Sequence, residues 1–238
     1  RDVLDARLAL AQMAMVSGDR TLAKKEVSDA LNKFPSSEIA ALMLAQITED
    51  KAEAAKTLSD FLKKNPKARE VRLAYSRMLF EQGKIADAKK EFQALLQQTP
   101  NDATALYALG LLSAQANDTA DAEKYLSAYI NNLKGQPDRE RDATQALMVL
   151  AQIAEDRNDD AGTLKWLELV PELGQSGASN AIIKRAQLQS KNGKLDEARK
   201  LLSEADVNND DERVKLIIGE CQLLRDVGKL AEAIQLIE

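Results

Sequence analysis

The strongest constraint on the fold of this chain is a pattern of turn-forming, small and apolar residues that recurs about every 34 positions along its 238 residues. Three prolines, Pro35, Pro66 and Pro100, lie 31 and 34 residues apart. Short turn-like stretches also recur, and from Gly83 onward their central residues are 34, 41, 35 and 35 residues apart. These stretches are residues 17–19, 82–84, 116–118, 157–159, 192–194 and 227–229. A period of this length indicates one supersecondary unit repeated along the chain.

Each turn-like stretch is followed by a small residue and, four positions later, by a larger apolar residue in most copies. The pairs are Ala23/Val27, Ala88/Phe92, Ala122/Leu126, Thr163/Leu167, Ala198/Leu202 and Ala233/Ile237. Apolar–small pairs precede several turns, namely Leu10-Ala11, Leu109-Gly110 and Leu150-Ala151. Residues four apart share a helix face, and small residues allow two helices to cross closely. Since aromatics make up only 4% of the chain, with 10 Gly and 5 Pro, the composition also favours helix over β-hairpins.

These offsets resemble the tetratricopeptide repeat, a helix–turn–helix unit of about 34 residues. The resemblance implies an all-α fold, a right-handed α-solenoid (superhelix) of about seven repeats with a concave groove. We expect a single solenoid domain over residues 1–238. Its repeats would span residues 1–35, 36–66, 67–100, 101–137, 138–177, 178–210 and 211–238. The last repeat is truncated and lacks a polar capping helix, so we expect the chain to be a fragment of a longer protein.

Three segments depart from the regular repeat. Residues 36–66 form a copy that is three residues shorter at its inter-helix turn. Residues 132–142 contain Gly135 and Pro137 and predict a lengthened loop between repeats. Residues 171–177 contain Pro171, two Gly and a Ser, which predict a second irregular stretch. The regularly spaced prolines are expected to end second helices, because proline cannot be accommodated in a helix interior.

The composition excludes several classes of function. The chain has no His, which removes imidazole-based catalysis and imidazole metal sites. No nucleotide-binding, zinc or calcium motif is present, so we expect no catalytic residue, no metal site and no cofactor. A net charge of −5 argues against nucleic-acid binding, and no stretch is long and apolar enough for a transmembrane segment. The acidic clusters at residues 155–160 and 206–212 are interpreted as helix caps.

Four further side chains are assigned to packing. The single Cys, Cys221, occupies the repeat position of Gly110 and Ala151, where close helix crossing requires a small residue, and it is expected to be a buried structural thiol. Trp166 is expected to pack in the core or between repeats. Tyr125 and Tyr129 are expected to pack between the fourth and fifth repeats.

The candidate partner-binding surface is a pair of columns on the first helices of the repeats, which should face the concave groove. The fifth-position column is Leu8, Leu42, Leu73, Tyr107, Met148, Ile183 and Ile218. The ninth-position column is Gln12, Gln46, Arg77, Leu111, Gln152, Gln187 and Gln222. A column of amides can hydrogen-bond the backbone of an extended peptide without selecting its sequence, because each amide has donors and an acceptor. Alternatively, the fifth position is partly core and Gln is only a soluble helix former. Some repeats of this type bind acidic peptide tails through Lys and Asn in the groove. The two columns do not support that mode of binding, because they hold mainly apolar residues and Gln.

Several stretches also resemble one group of these proteins, the proteobacterial tetratricopeptide outer-membrane lipoproteins. They are residues 60–62, 65–66, 69–75, 108–112, 152–157 and 222–226. The resemblance implies an adaptor for a periplasmic carboxyl-terminal processing protease and its substrates. It also implies a periplasmic location with a membrane anchor through a lipidated segment upstream of Arg1, the alternative location being the cytoplasm.

The favoured hypothesis is a non-enzymatic scaffold that binds a partner protein or extended peptide in its groove. The alternative is a structural spacer or assembly component of a cell-envelope or secretion complex, which could self-associate through its truncated ends. An enzyme with an uncommon carboxylate site is the least favoured possibility, since no catalytic spacing is present.

Overall fold

The computed structural model describes residues 2–133, 140–173, 178–207 and 209–237. Within these ranges the chain forms helices joined by short turns, and no strand. The helices are α1 (Asp2–Val16), α2 (Arg20–Lys33), α3 (Glu38–Ile47), α4 (Lys51–Lys64), α5 (Arg69–Glu81), α6 (Ile85–Gln98), α7 (Ala103–Gln115), α8 (Thr119–Leu133), α9 (Glu140–Asp156), α10 (Asp160–Leu173), α11 (Ala178–Lys191), α12 (Leu195–Ser203), α13 (Asp210–Asp226) and α14 (Leu230–Gln235). The prediction of an all-α chain is confirmed.

The helices pack in consecutive pairs. Helix α1 packs on α2, α5 on α6, α9 on α10, and α11 on α12. Second helices also contact the first helix of the following pair, as α2 does with α3 and α10 with α11. This is the arrangement of a tetratricopeptide α-solenoid. The chain divides into two compact units, unit 1 (Arg1–Leu109) and unit 2 (Gly110–Glu238). That all repeats form a single domain therefore stays a prediction.

The turns between paired helices adopt one conformation in six of the seven pairs. The central residue of each turn has a positive φ, between 57° and 83°, and is either Gly or Asn. These residues are Gly18, Gly83, Asn117, Asn158, Gly193 and Gly228. The next N–H donates to the carbonyl five residues earlier, as Lys84 does to Leu79 at 2.9 Å. This closes a Schellman motif, which favours Gly or Asn because they tolerate a left-handed backbone. The turn-like stretches in the sequence were therefore correctly identified.

The small residues identified in the sequence lie where paired helices cross. Ala11 and Ala23 are both fully buried, as are Ala186 and Ala198 in another pair. Their larger partners are buried as well, with the exception of Ile237, which is 73% exposed. Gly110 lies so close to Leu126 that a Cβ atom there would overlap the Leu126 side chain. The repeat signature thus marks the core between paired helices.

The prolines and the irregular segments are placed as follows. Pro35, Pro66 and Pro100 each lie two residues after the last residue of α2, α4 and α6, as predicted. The shortened second repeat joins α3 to α4 through residues 48–50, and α3 has only 10 residues. Residues 171–173 belong to α10, so the start of the predicted irregular stretch is helical instead. Residues 174–177 and 134–139, which hold the rest of the predicted irregular sequence, lie outside the described residues.

None of the helices in the described ranges has the length and apolar character needed to cross a bilayer.

Candidate functional site

The fifth-position column lies at the surface of the core. Leu8 and Leu73 are buried, with 8% and 5% of their surface exposed. Four members, Leu42, Tyr107, Met148 and Ile183, are half-buried, and Ile218 is 50% exposed. The column therefore contributes to the core and also presents apolar atoms at the surface. The structure is therefore compatible both with a groove-facing contact position and with a position that is partly core.

Contacts between successive first helices explain the partial burial of the fifth position. Helix α3 contacts α5, and α11 contacts α13. At the second contact Gly219 of α13 lies over Ile183, and a Cβ atom on Gly219 would be 2.8 Å from Ile183 Cγ1. A fifth-position side chain is thus covered on one side by the first helix of the next repeat. This packing brings the columns of neighbouring repeats together within each unit.

The ninth-position column is open to solvent. Five Gln residues and Arg77 are exposed, and Leu111 is half-buried. Among the described residues, the side chains of Gln12, Gln46, Gln187 and Gln222 have no hydrogen-bond partner. Their amides are therefore free to donate to and accept from another chain. In unit 1 this column is Gln12, Gln46 and Arg77, and in unit 2 it is Leu111, Gln152, Gln187 and Gln222.

Gln152 differs from the other glutamines because its amide is already engaged. Its Nε2 donates to Asp156 Oδ1 at 2.8 Å, and its Oε1 accepts from Lys184 Nζ at 2.9 Å. Lys184 also pairs with Glu155 at 2.5 Å. A cleft of ≈ 110 Å³ next to this cluster is lined by Glu155, Lys184 and Gln187, among other residues. A ligand that uses Gln152 would have to replace these internal bonds.

Two exposed apolar side chains extend the first-helix face of unit 1, and the sequence analysis did not identify them. Ile39 is 64% exposed and lies three residues before Leu42 on α3. Phe80 is 44% exposed and lies three residues after Arg77 on α5. Residues three apart share a helix face, so the helical spacing from the two columns could have found both. They give the face apolar surface beside the free amides.

No group of three or more Cys, Asp or Glu is arranged to hold a metal ion in the described part of the chain. The first acidic cluster contains a carboxylate cap, as interpreted from the sequence, whereas in the second the cap is Asn209 and the acidic residues lie in the first turn of α13. Asp159 accepts from the N–H of Gly162 at 2.8 Å, and Asn209 accepts from the N–H of Glu212 at 2.9 Å.

Cys221 is less buried than predicted. Its Sγ lies 3.6 Å from the carbonyl oxygen of Ala233, so it does occupy the helix crossing. It is nevertheless half-buried, because it lines an open groove between α13 and α14. Trp166 is half-buried, with Lys165 Nζ 4.6 Å from its ring centre. Tyr125 and Tyr129 are buried in α8, which packs on α9, as expected.

Ion pairs inside the repeats were not predicted from the sequence. Arg72 is buried, pairs with Glu91 and donates to the carbonyl oxygen of Pro66 at 2.8 Å. The equivalent pair in the first repeat joins Arg7 and Glu26 at 2.7 Å. The sequence feature that could have predicted both pairs is a 19-residue separation between opposite charges at equivalent repeat positions. These pairs join the two helices of a repeat and do not form part of the first-helix face.

Another ion pair, of which only the carboxylate is buried, links consecutive repeats in unit 1. Asp102 accepts from Arg69 Nε at 2.6 Å and from the N–H of Ala105 at 3.0 Å. Burial of the Asp102 carboxyl opposes its ionisation, but these two donors outweigh burial and hold its pKa below the usual value. The ionised carboxylate caps α7 and holds it to α5.

Comparisons with known proteins agree with this arrangement. A family model described as the tetratricopeptide repeat matches residues 48–88 and 79–138. Among curated protein sequences, none matches this chain. A tetratricopeptide repeat protein from Parabacteroides merdae is similar in structure, with a TM-score of 0.57, 16% identity, and coverage of 99% of this chain and 91% of that chain.

Two other solved structures are similar at comparable levels. PilF from Pseudomonas aeruginosa has a TM-score of 0.57 and 18% identity, and the match covers 100% of this chain and 98% of that chain. PilW, described as a type IV pilus biogenesis factor, has a TM-score of 0.53 and 20% identity, with 91% and 99% covered. The family model, the paired helices and these folds agree with one another: residues 48–138 match the tetratricopeptide repeat, and the described helices have the fold of tetratricopeptide-repeat proteins.

Proposed function

We propose that the protein is a non-enzymatic scaffold, and that the first-helix faces of its repeats bind an extended segment of a partner protein. The observation that carries this proposal is the column of exposed glutamines with free amides beside half-buried apolar side chains. An extended peptide leaves its backbone N–H and C=O groups unpaired, and amide side chains can satisfy both. Exposed Ile39 and Phe80 would contact apolar side chains of the bound segment.

Unit 1 offers the sharper test, because neither glutamine of its ninth-position column has a hydrogen-bond partner within the chain. A phage-displayed library of random peptides is selected on the wild-type protein, and the affinity of the selected peptides is measured by calorimetry. Replacing Gln12 and Gln46 with Glu removes the amide donors and adds two charges. We expect this Q12E/Q46E variant to bind about tenfold more weakly or worse, since an unsatisfied polar group costs about 1–3 kcal/mol.

The matched control is the same change on a second helix. Gln93 and Gln97 are exposed on α6, so Q93E/Q97E adds the same charge away from the first-helix face. The control should leave affinity unchanged, and both variants should keep the helical circular dichroism of the wild type. Equal affinity for Q12E/Q46E and the wild type would remove the first-helix face from the proposal.

Our more specific proposal is that the protein acts as an adaptor for a periplasmic carboxyl-terminal processing protease. Its support is the resemblance of the sequence to the lipoprotein group, which also motivates the periplasmic location, with the cytoplasm as the alternative. A purified protease of this class should bind the protein and degrade its substrates faster in its presence. Absence of both binding and rate change would rule out the adaptor role while leaving the scaffold proposal intact.

A second candidate function is a spacer or assembly component of a cell-envelope or secretion complex. Two observations favour it: the similar fold of the pilus biogenesis factor PilW, and exposed apolar side chains such as Met13 and Ile234. In this case those exposed apolar side chains would carry the function, and substitutions in the ninth-position column would be silent.

A further inference from the structure

Two exposed apolar side chains lie on neighbouring first helices in the interior of unit 1. Ile39, in the first turn of α3, is 64% exposed, and Phe80, in the last turn of α5, is 44% exposed. By helical spacing, Leu42 and Gln46 share the face of Ile39, and Arg77 shares the face of Phe80. The surface formed by these five side chains is called the α3–α5 face below.

Two hydrogen bonds show that α3 and α5 lie side by side and run in the same direction. Glu38 Oε2 accepts from the N–H of Glu70 at 3.2 Å, so the first turns of the two helices adjoin. Gln82 Nε2 donates to the carbonyl oxygen of Lys51 at 3.0 Å, so the end of α5 adjoins the start of α4, just beyond the end of α3. The two exposed apolar side chains therefore lie at opposite ends of the α3–α5 face.

Helix geometry gives the distance between these two side chains. Ile39 is the second residue of α3 and Phe80 is the twelfth residue of α5, a difference of ten residues. At a rise of about 1.5 Å per residue and about 8–10 Å between helix axes, the two lie about 18 Å apart. An extended chain rises about 3.3 Å per residue, and residues an even number apart point to the same side. Residues six positions apart in an extended segment therefore match the two apolar contacts.

The end of the face where α3 and α5 begin is acidic. Arg69 pairs with both Glu70 and Asp102, so one guanidinium is shared between two carboxylates. In the part of the chain that the structure describes, Glu38 pairs with no cation, and Lys67 of the preceding turn pairs with none of these carboxylates. A cationic side chain of a partner would complement the charge at this end.

The opposite end of the face carries an unpaired cation. Arg77 is exposed, and its guanidinium has no hydrogen bond or ion pair among the described residues. Glu81, four residues further on, does not pair with it, and Glu49 in the turn after α3 pairs with Arg20 instead. A free guanidinium can form a bidentate pair with the carboxylate of another chain.

Building on the proposed function, we propose that the α3–α5 face selects extended segments with a defined order of side chains. Two apolar residues six positions apart contact Ile39 and Phe80. A Lys or Arg lies outside the first apolar residue, next to Glu38. An Asp or Glu lies just inside the second one and pairs with Arg77, while the free amide of Gln46 bonds the backbone between them. The segment can run in either chain direction.

Exchanging charges tests the pairing with Arg77. A phage-displayed library of random peptides is selected in parallel on the wild-type protein, on R77E and on K25E. Lys25 is exposed on the second helix α2, so K25E makes the same change of charge away from the face. The wild type and K25E should enrich the proposed order, whereas R77E should enrich peptides with Lys or Arg in place of the acidic residue.

Calorimetry on one selected peptide measures the size of the effect. Replacing its acidic residue with Lys should weaken binding to the wild type at least tenfold, and the changed peptide should bind R77E more tightly than it binds the wild type. Enrichment of the same order on R77E as on the wild type, or an affinity that ignores the exchange, would overturn the selectivity.

The apolar contacts and their spacing are tested with the same peptide. I39S and F80S should each weaken binding about tenfold, whereas I234S, a change of an exposed Ile on the second helix α14, should not. All three side chains are exposed, so the fold should tolerate the changes, as circular dichroism would verify. A peptide with two residues deleted between its apolar residues should also bind about tenfold more weakly, and equal affinity of the two peptides would contradict the spacing.

The Q12E/Q46E variant separates failure of this selectivity from failure of the proposed function. If Q12E/Q46E weakens binding while the exchanges of charge and the deletion have no effect, the first-helix face binds segments without the proposed selectivity. If no peptide binds the wild type, or if Q12E/Q46E leaves affinity unchanged, the selectivity and the proposed function are both wrong.

Discussion

Arginine–glutamate pairs occupy the same two repeat positions in the first and third repeats. Arg7 pairs with Glu26 and Arg72 with Glu91. In the fourth repeat these positions hold Leu106, which is buried, and Tyr125, which is also buried. These two repeat positions are therefore occupied either by opposite charges or by two buried uncharged side chains. Burying one charge without the other is costly, so the two positions must change together.

Removing one partner of the third-repeat pair should destabilise unit 1. Glu91→Ala leaves the buried Arg72 guanidinium without its carboxylate. We expect a loss of about 2 kcal/mol in the free energy of unfolding, below the usual cost for a fully buried pair because Glu91 is partly exposed. Urea unfolding followed by circular dichroism measures the change. Glu81→Ala, exposed on α5, is the control and should change stability little.

The matched rescue is the double variant R72L/E91Y, which introduces the pair found in the fourth repeat. The carbonyl oxygen of Pro66 keeps its bond from Gln98 Nε2 at 2.8 Å, so no acceptor is left bare. Stability should return to within about 1 kcal/mol of the wild type, since apolar replacement of a buried ion pair is often neutral. A double variant less stable than Glu91→Ala would show that the pair is not interchangeable.

At the scale of the helix pair, the crossing of α7 and α8 contains Gly110, where a Cβ atom would overlap Leu126. The equivalent residues Ala11, Ala45 and Ala186 all carry a Cβ atom. Leu126 fills the space where that atom would lie and is fully buried, so it has no open space to move into. The α7–α8 pair therefore depends on glycine for its packing distance.

Gly110→Ala should lower the free energy of unfolding by about 1–2 kcal/mol through overpacking, although Ala favours helix. The companion change Leu126→Val removes one methylene group and reproduces the Ala11/Val27 pair of the first repeat. In thermal unfolding, the double variant should therefore be more stable than Gly110→Ala alone. If Gly110→Ala were as stable as the wild type, α7 and α8 would not be held at this distance by the glycine.

The sequence predicted the elements well, because the turn and crossing positions carry local signals. A left-handed turn favours Gly or Asn, and a close helix crossing requires a small residue. A single residue type at a single position therefore predicts each feature. Ion pairs such as Arg69–Asp102 join residues more than 30 positions apart and carry no local signal. The half-burial of Cys221 was also missed, because exposure depends on which helix covers the groove and not on the residue type.

At the scale of the whole molecule, each unit stacks helix pairs so that successive first helices come into contact, as α3 does with α5 and α11 with α13. Stacking buries the fifth-position side chains in part and leaves the ninth-position amides in solvent. The sequence placed both columns on one helix face, but it could not distinguish a binding surface from a core edge. Only the burial of each side chain separates the two, and burial depends on the next repeat.

The most direct test of the account is to locate a bound peptide by paramagnetic broadening of methyl signals. A peptide selected on the protein carries a spin label, and signals of half-buried leucines are compared on the two kinds of helix. The account predicts stronger broadening at Leu42 on α3 than at Leu96 on α6. Stronger broadening at Leu96 than at Leu42 would place the partner on the second helices and contradict the central claim.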